Sequence, residues 1–186
     1  MKRFTPICVL VAICWIVFGV NNIILRGALN QYALEPRHLN ALPGILWSPF
    51  LHENFGHIAA NTLPLFLLGA MICFRSRAQF LGVTTTGIVI GGGLTWLLAR
   101  DAHHLGASGL IFCYFGFLIA RAFFDRSIVT FILAILCLVG FGGIIWGILP
   151  VSRAISWEGH AAGLAAGILA AWSLPKPRRA ADPAKC

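Results

Sequence analysis

Six long blocks without Asp, Glu, Lys or Arg run along the chain, at residues 4–25, 54–74, 78–99, 105–120, 127–152 and 159–174. A helix needs about 20 such residues to cross a hydrocarbon core of about 30 Å. Four blocks meet that length comfortably; the fourth and sixth are short. The pattern predicts an all-α membrane protein of six transmembrane helices, with the charged breaks as loops. The first block follows Lys2 and Arg3 as a secretory signal would. It is longer than a signal core and no small-x-small cleavage site follows it, so it is expected to stay as a membrane span.

Composition agrees with the pattern. Of 186 residues, 59% are hydrophobic and 11% charged, too little polar surface to cover a soluble globule. No linker or low-complexity tract suggests a second domain, so residues 1–175 read as one membrane domain and 176–186 as a basic cytoplasmic tail. The net charge of +8 does not point to nucleic acid, because the basic residues follow the loops. With a cytoplasmic N-terminus, the inner segments hold ten Lys and Arg residues and the outer ones Arg26, Arg37, Arg100 and Arg153. That bias places both termini in the cytoplasm.

The six cysteines have no metal-type spacing, and five lie in the apolar blocks, where they read as small packing residues. His52-Glu53 precedes His57, but H-E-x-x-x-H is one residue too long for the zinc-binding H-E-x-x-H. No metal or cofactor is expected.

Polar groups inside a span are costly, so an ionisable one is a functional candidate. Three clusters qualify: His57 with Asn61 in the second block, Gly106-Ala107-Ser108-Gly109 opening the fourth, and Gly159-His160 opening the sixth. Even-numbered helices run in one direction, so their starts share a side of the membrane. At about 1.5 Å per residue, Ser108 lies about 20 Å from Arg121, His160 about 24 Å from Lys176 and Asn61 about 21 Å from Arg75. All reach a similar depth, and a helix that starts at a buried cavity need not cross the full bilayer.

A serine at a helix N-terminus has backbone N–H groups around it that can stabilise an oxyanion. Ser108 suits a nucleophile, and His160 suits the base that takes its proton. His57 and Asn61, four residues apart, share a helix face and can aim at one oxygen. Gly159, Gly163 and Gly167 form a small-residue strip that allows the sixth helix to approach the fourth.

Together, FLHENFGHIAAN at 50–61, GASGLIFCYFGFLIAR at 106–121 and EGHAAGLAAG at 158–167 resemble the rhomboid family of intramembrane serine proteases. The resemblance covers essentially the whole chain. It implies a six-helix core, a Ser108–His160 dyad, and an oxyanion hole from the Ser108 N–H with His57 and Asn61. It also implies transmembrane protein substrates. Glu158 points to a helix face nearly opposite His160 and is poorly placed to orient that ring.

Two positions depart from the family pattern. Phe112 stands where some members have Tyr, its ring still able to pack on His160. The first outer loop lacks a Trp-Arg pair, with Trp47 available as an interface anchor. His103 and His104 read as solvated loop residues, Thr84 to Thr86 as bonded back to their own helix or to a neighbour, and Gly91 to Gly93 as packing residues. The localisation expected is a prokaryotic plasma (inner) membrane. The alternatives are an inactive rhomboid-like protein that binds membrane helices and a small transporter.

Overall fold

The computed structural model describes residues 2–152 and 155–176, and the 177–186 part of the expected basic tail lies outside them. Among the described residues the secondary structure is helical, apart from one isolated antiparallel bridge between Leu34 and His104. Five helices are long and apolar enough to cross a membrane: α1 Thr5–Ile24, α2 Phe55–Arg75, α3 Arg77–Leu98, α4 Ser108–Asp125 and α5 Ile128–Ile148. A sixth, α6 at Trp157–Ser173, has 17 residues and is about 26 Å long. With 18 residues in α4, the two shortest helices are the two marked by short apolar blocks.

Local chemistry sets the helix starts. The Asn54 side chain accepts the His57 N–H at 2.9 Å and caps α2, Ser76 caps α3, and Ser127 with Thr130 forms a capping box on α5. Such caps satisfy N–H groups that a helix cannot pair internally. Helix α5 tightens into a 3-10 turn over Gly142–Ile148, a change of winding that matters at the site.

Helix α4 is the centre of the bundle. Of its apolar window 61% is buried, against 39% in α2 and 22% in α1, α3 and α5. The outer helices instead expose Ile16, Ile23, Leu136 and Val139, side chains that a bilayer solvates. Helix α6 is built largely of Ala and Gly, so its backbone lies against α4. A Cβ on Gly163 would overlap the Gly109 carbonyl, and one on Gly167 the Cys113 carbonyl. On α4 itself, a Cβ on Gly116 would come within 2.7 Å of the Leu164 carbonyl oxygen. Only glycine fits such a contact.

Helix directions follow from the ends that meet. Arg75 at the end of α2 pairs with Asp125 at the end of α4, and Lys176, just past α6, lies 3.8 Å from the same carboxylate. Buried Arg121 donates to the Ala171 and Leu174 carbonyls at 2.7 and 2.8 Å, closing the end of α6. Helices α2, α4 and α6 therefore run in parallel, and their polar starts gather at the opposite end.

Other packing expectations meet mixed results. Thr84 bonds to the Phe80 carbonyl and reaches across to the Tyr114 hydroxyl, each at 2.7 Å. Gly91 faces the Gly163 backbone and Gly92 faces Ile45, but Gly93 has open space where a Cβ would stand, so close packing does not explain it.

Candidate active site

Ser108 is the first residue of α4 and lies half-buried. The residue before it, Ala107, has no side-chain oxygen, and no side chain caps this helix. The first-turn N–H groups are therefore left to a ligand or water. The turn that delivers Ser108 is held from behind: Gly106 N–H donates to the Ser48 carbonyl at 2.8 Å and Ala107 N–H to His52 Nε2 at 3.4 Å.

Gly106 has φ +109°, and a Cβ there would stand 2.6 Å from His57 Nε2 and 3.5 Å from Asn61 Nδ2. Glycine is required on both counts. The structure thus brings His57 and Asn61 against the turn of Ser108. Asn61 is 8% exposed, and its Nδ2 is buried without a hydrogen-bond partner. A buried amide donor normally has an acceptor, and an oxyanion beside Gly106 would supply one.

His160 sits in the first turn of α6, and its Nδ1 lies 2.8 Å from the Gly147 carbonyl. A carbonyl only accepts, so Nδ1 carries the proton and Nε2 keeps its lone pair. The ring also stacks on Phe112, with centroids 4.3 Å apart and planes 9° from parallel. The imidazole is thereby fixed in the tautomer a base at Nε2 needs. Gly159, next to His160, presents its carbonyl 3.6 Å from the position of a Gly109 Cβ, next to Ser108, so Ser108 and His160 occupy adjoining first turns of two packed helices. A cavity of about 50 Å³ opens beside Ser108, lined also by Thr95, His104, Ser156 and Gly159. That is room for a few water molecules.

Residues 40–177 match the family model of the rhomboid domain. The chain belongs to the rhomboid family. It is similar over 187 aligned residues, at 33% identity, to uncharacterized proteins of Mycobacterium tuberculosis and Mycobacterium bovis, with 95% of this chain and 77% of each relative covered. An uncharacterized protein of Mycobacterium leprae is 34% identical over 163 residues, covering 83% of this chain and 64% of that one. The domain and the apolar helices make the chain an integral, multi-pass membrane protein.

Some expectations for this rhomboid chain need correction. The small-residue strip is uneven: a Cβ on Gly163 or Gly167 would overlap an α4 carbonyl, whereas one on Gly159 would meet Ser156 Oγ at 2.7 Å and only the Gly159 carbonyl faces α4. Gly109 does pack against α6, through the carbonyl that touches Gly163, while a methyl on Gly109 itself would sit at ordinary contact distance. His104, expected in solvent, is 5% exposed, and Ser156 and Arg100 hold its ring. Glu158 turns to Arg100, 3.5 Å away, leaving the Gly147 carbonyl to orient His160.

Two site residues escaped the sequence reading. Gly147 offers only a backbone oxygen, and a Cβ there would press Phe112 Cζ at 2.9 Å and His160 Nδ1 at 3.1 Å. Its one signal was a glycine in the broken end of an apolar block. His52 is 1% exposed, with its ring 5.1 Å from that of His57. A failed zinc spacing drew attention to it for the wrong reason.

Proposed function

We propose that this rhomboid protein is an intramembrane serine endopeptidase, cutting peptide bonds in or beside the transmembrane segments of protein substrates. The observation that carries the reading is the placement of His160: its Nδ1 is bonded to the Gly147 carbonyl, which leaves Nε2 as the ring nitrogen for a base, on a helix turn adjoining that of Ser108. In the reaction, Nε2 takes the Ser108 hydroxyl proton as Oγ bonds to the scissile carbonyl carbon. The carbonyl oxygen becomes an oxyanion and receives the Ser108 N–H, Asn61 Nδ2 and His57. His160 returns its proton to the leaving amine. Water from the cavity then attacks the acyl-enzyme, losing its proton to His160, and Ser108 leaves with that proton.

The same reading sets α6 as a sixth crossing, both termini in the cytoplasm and the site toward the outer surface of a prokaryotic inner membrane. Substrates must unwind near the cut, because a hydrogen-bonded helix hides its carbonyls. The test is the purified chain in mild detergent with a generic transmembrane substrate and a fluorophosphonate probe. Cleavage and labelling should occur in the wild type and vanish in Ser108→Ala. A folded wild type that neither cuts nor labels between about pH 6 and pH 9, where a neutral histidine can act, would leave the chain as a binder of membrane helices.

A further inference from the structure

The segment that leads into Ser108 is tied to the segment that leads into His160 by side chains the reaction does not use. Arg100 follows α3, and its guanidinium donates to the Ile155 carbonyl at 2.7 Å and faces Glu158 at 3.5 Å. Four residues on, His104 Nε2 lies 3.1 Å from the Arg100 carbonyl and Nδ1 is hydrogen-bonded to Ser156 Oγ. Since the carbonyl only accepts, Nε2 holds the proton and Nδ1 accepts from the Ser156 hydroxyl. Burial lowers the His104 pKa, which keeps this neutral form in place near pH 7.

Each side of the tie is itself fixed. The His104 backbone exchanges two hydrogen bonds with Leu34, at 2.8 and 3.1 Å. The Ser156 carbonyl accepts the His160 N–H at 3.1 Å. Arg100 and His104 thus grip residues 155, 156 and 158 of the α6 entry from the strand of chain that ends at Ser108. A loop of this length would otherwise leave the nucleophile and base free to drift by fractions of an ångström, and a misplacement of about 1 Å can cost about 100-fold in rate.

We propose that Arg100 and His104 are positioning residues, clamping the Ser108 turn to the first turn of α6 and so setting the distance between nucleophile and base. The inference rests on the enzyme reading above. The polar atoms of both side chains are engaged by the α6 entry and the Arg100 carbonyl, although His104 borders the cavity beside Ser108, so the clamp acts mainly on kcat and changes KM little. Glu158 serves the clamp through Arg100.

The experiment measures cleavage kinetics, the rate of fluorophosphonate labelling at Ser108 and thermal stability for wild type, Arg100→Gln, Arg100→Lys, His104→Gln and Glu158→Gln. Arg100→Gln and His104→Gln should lower kcat and the labelling rate together by about 10-fold to 100-fold, with KM changed little. Arg100→Lys, which keeps a charge for Glu158 and a donor for Ile155, should recover part of the loss. Arg100→Gln combined with Glu158→Gln should fall no further than Arg100→Gln alone, since both break one contact. Should Arg100→Gln fail to fold, Glu158→Gln and His104→Gln carry the same readouts. Wild-type labelling rates in folded variants would overturn the clamp, as would losses in activity that follow only the loss of folded protein. A wild type that takes up no probe would overturn the enzyme reading and the clamp with it.

Discussion

The Gly147 carbonyl oxygen accepts a hydrogen bond from His160 Nδ1 at 2.8 Å, and the glycine's missing side chain is what admits the ring. In the proposed dyad, His160 is therefore oriented by backbone at the end of α5, in the place where a carboxylate would stand in a triad. Gly147→Ala should put a methyl against Phe112 and His160 and turn the imidazole away. We expect kcat to fall about 10-fold or more, with thermal stability changed much less. Unaltered turnover in a folded Gly147→Ala protein would show that this contact does not orient the base.

Ser108→Ala and His160→Ala should each abolish cleavage while expression and membrane insertion stay near the wild-type level, because both remove chemistry without adding charge. Labelling by a fluorophosphonate should vanish in the first and fall sharply in the second. It should also decline as acid protonates His160, since the charged ring cannot take a proton. Labelling that persists without His160 would disprove the dyad.

Asn61→Ala and His57→Ala should slow cleavage without ending it. Losing one donor to a developing oxyanion costs about 100-fold to 1000-fold, and the Ser108 N–H remains. Asn61 Nδ2 is the sharper test, because it is buried without a partner and its removal breaks no bond in the free protein. Equal kcat in the double variant and the wild type would return the pair to packing.

How much of this was legible beforehand depended on which kind of atom carried each contact. Ser108, His160, His57 and Asn61 stood out because a polar side chain in an apolar block is costly and therefore conspicuous. The parity of the helices followed from counting blocks, and the meeting of Arg75, Asp125 and Lys176 at one end agrees with it. Gly147 was invisible because a carbonyl belongs to every residue. His104 was misread because nothing in a loop sequence announces that Leu34 will pair with it and bury it. What a side chain at position 159 would meet was misassigned, because four-residue spacing says which residues share a face, not what each Cβ on it points at.

Gly163→Val should be more damaging than Ala162→Val. The Gly163 Cβ would overlap the Gly109 carbonyl one residue from Ser108, and backbone cannot move aside as a side chain can. Overpacking of this kind costs about 1–3 kcal/mol, readable as a lower melting temperature in detergent together with lost activity. Equal stability and activity in the two variants would refute the contact.

His52 sets an acid limit that can be located. Its Nε2 accepts the Ala107 N–H while Nδ1 faces the Phe50 carbonyl at 3.4 Å, so the bonds require the neutral ring. Burial, aided by repulsion from His57, pushes its pKa from 6.5 down to about 4. A histidine whose folded pKa is depressed binds its proton more readily when unfolded. The stability it contributes is full above about pH 6.5 and is lost progressively as pH falls toward about 4. His52→Gln keeps an oxygen for the Ala107 N–H without titrating. The difference in thermal stability between wild type and His52→Gln, measured in one detergent, should therefore shift in favour of the variant across that window and stay constant above it. His57, His104 and His160 remain in both proteins, so their titration largely cancels in the difference. A difference independent of pH from about 7 to about 4 would mean that His52 is not held neutral behind the Ser108 turn.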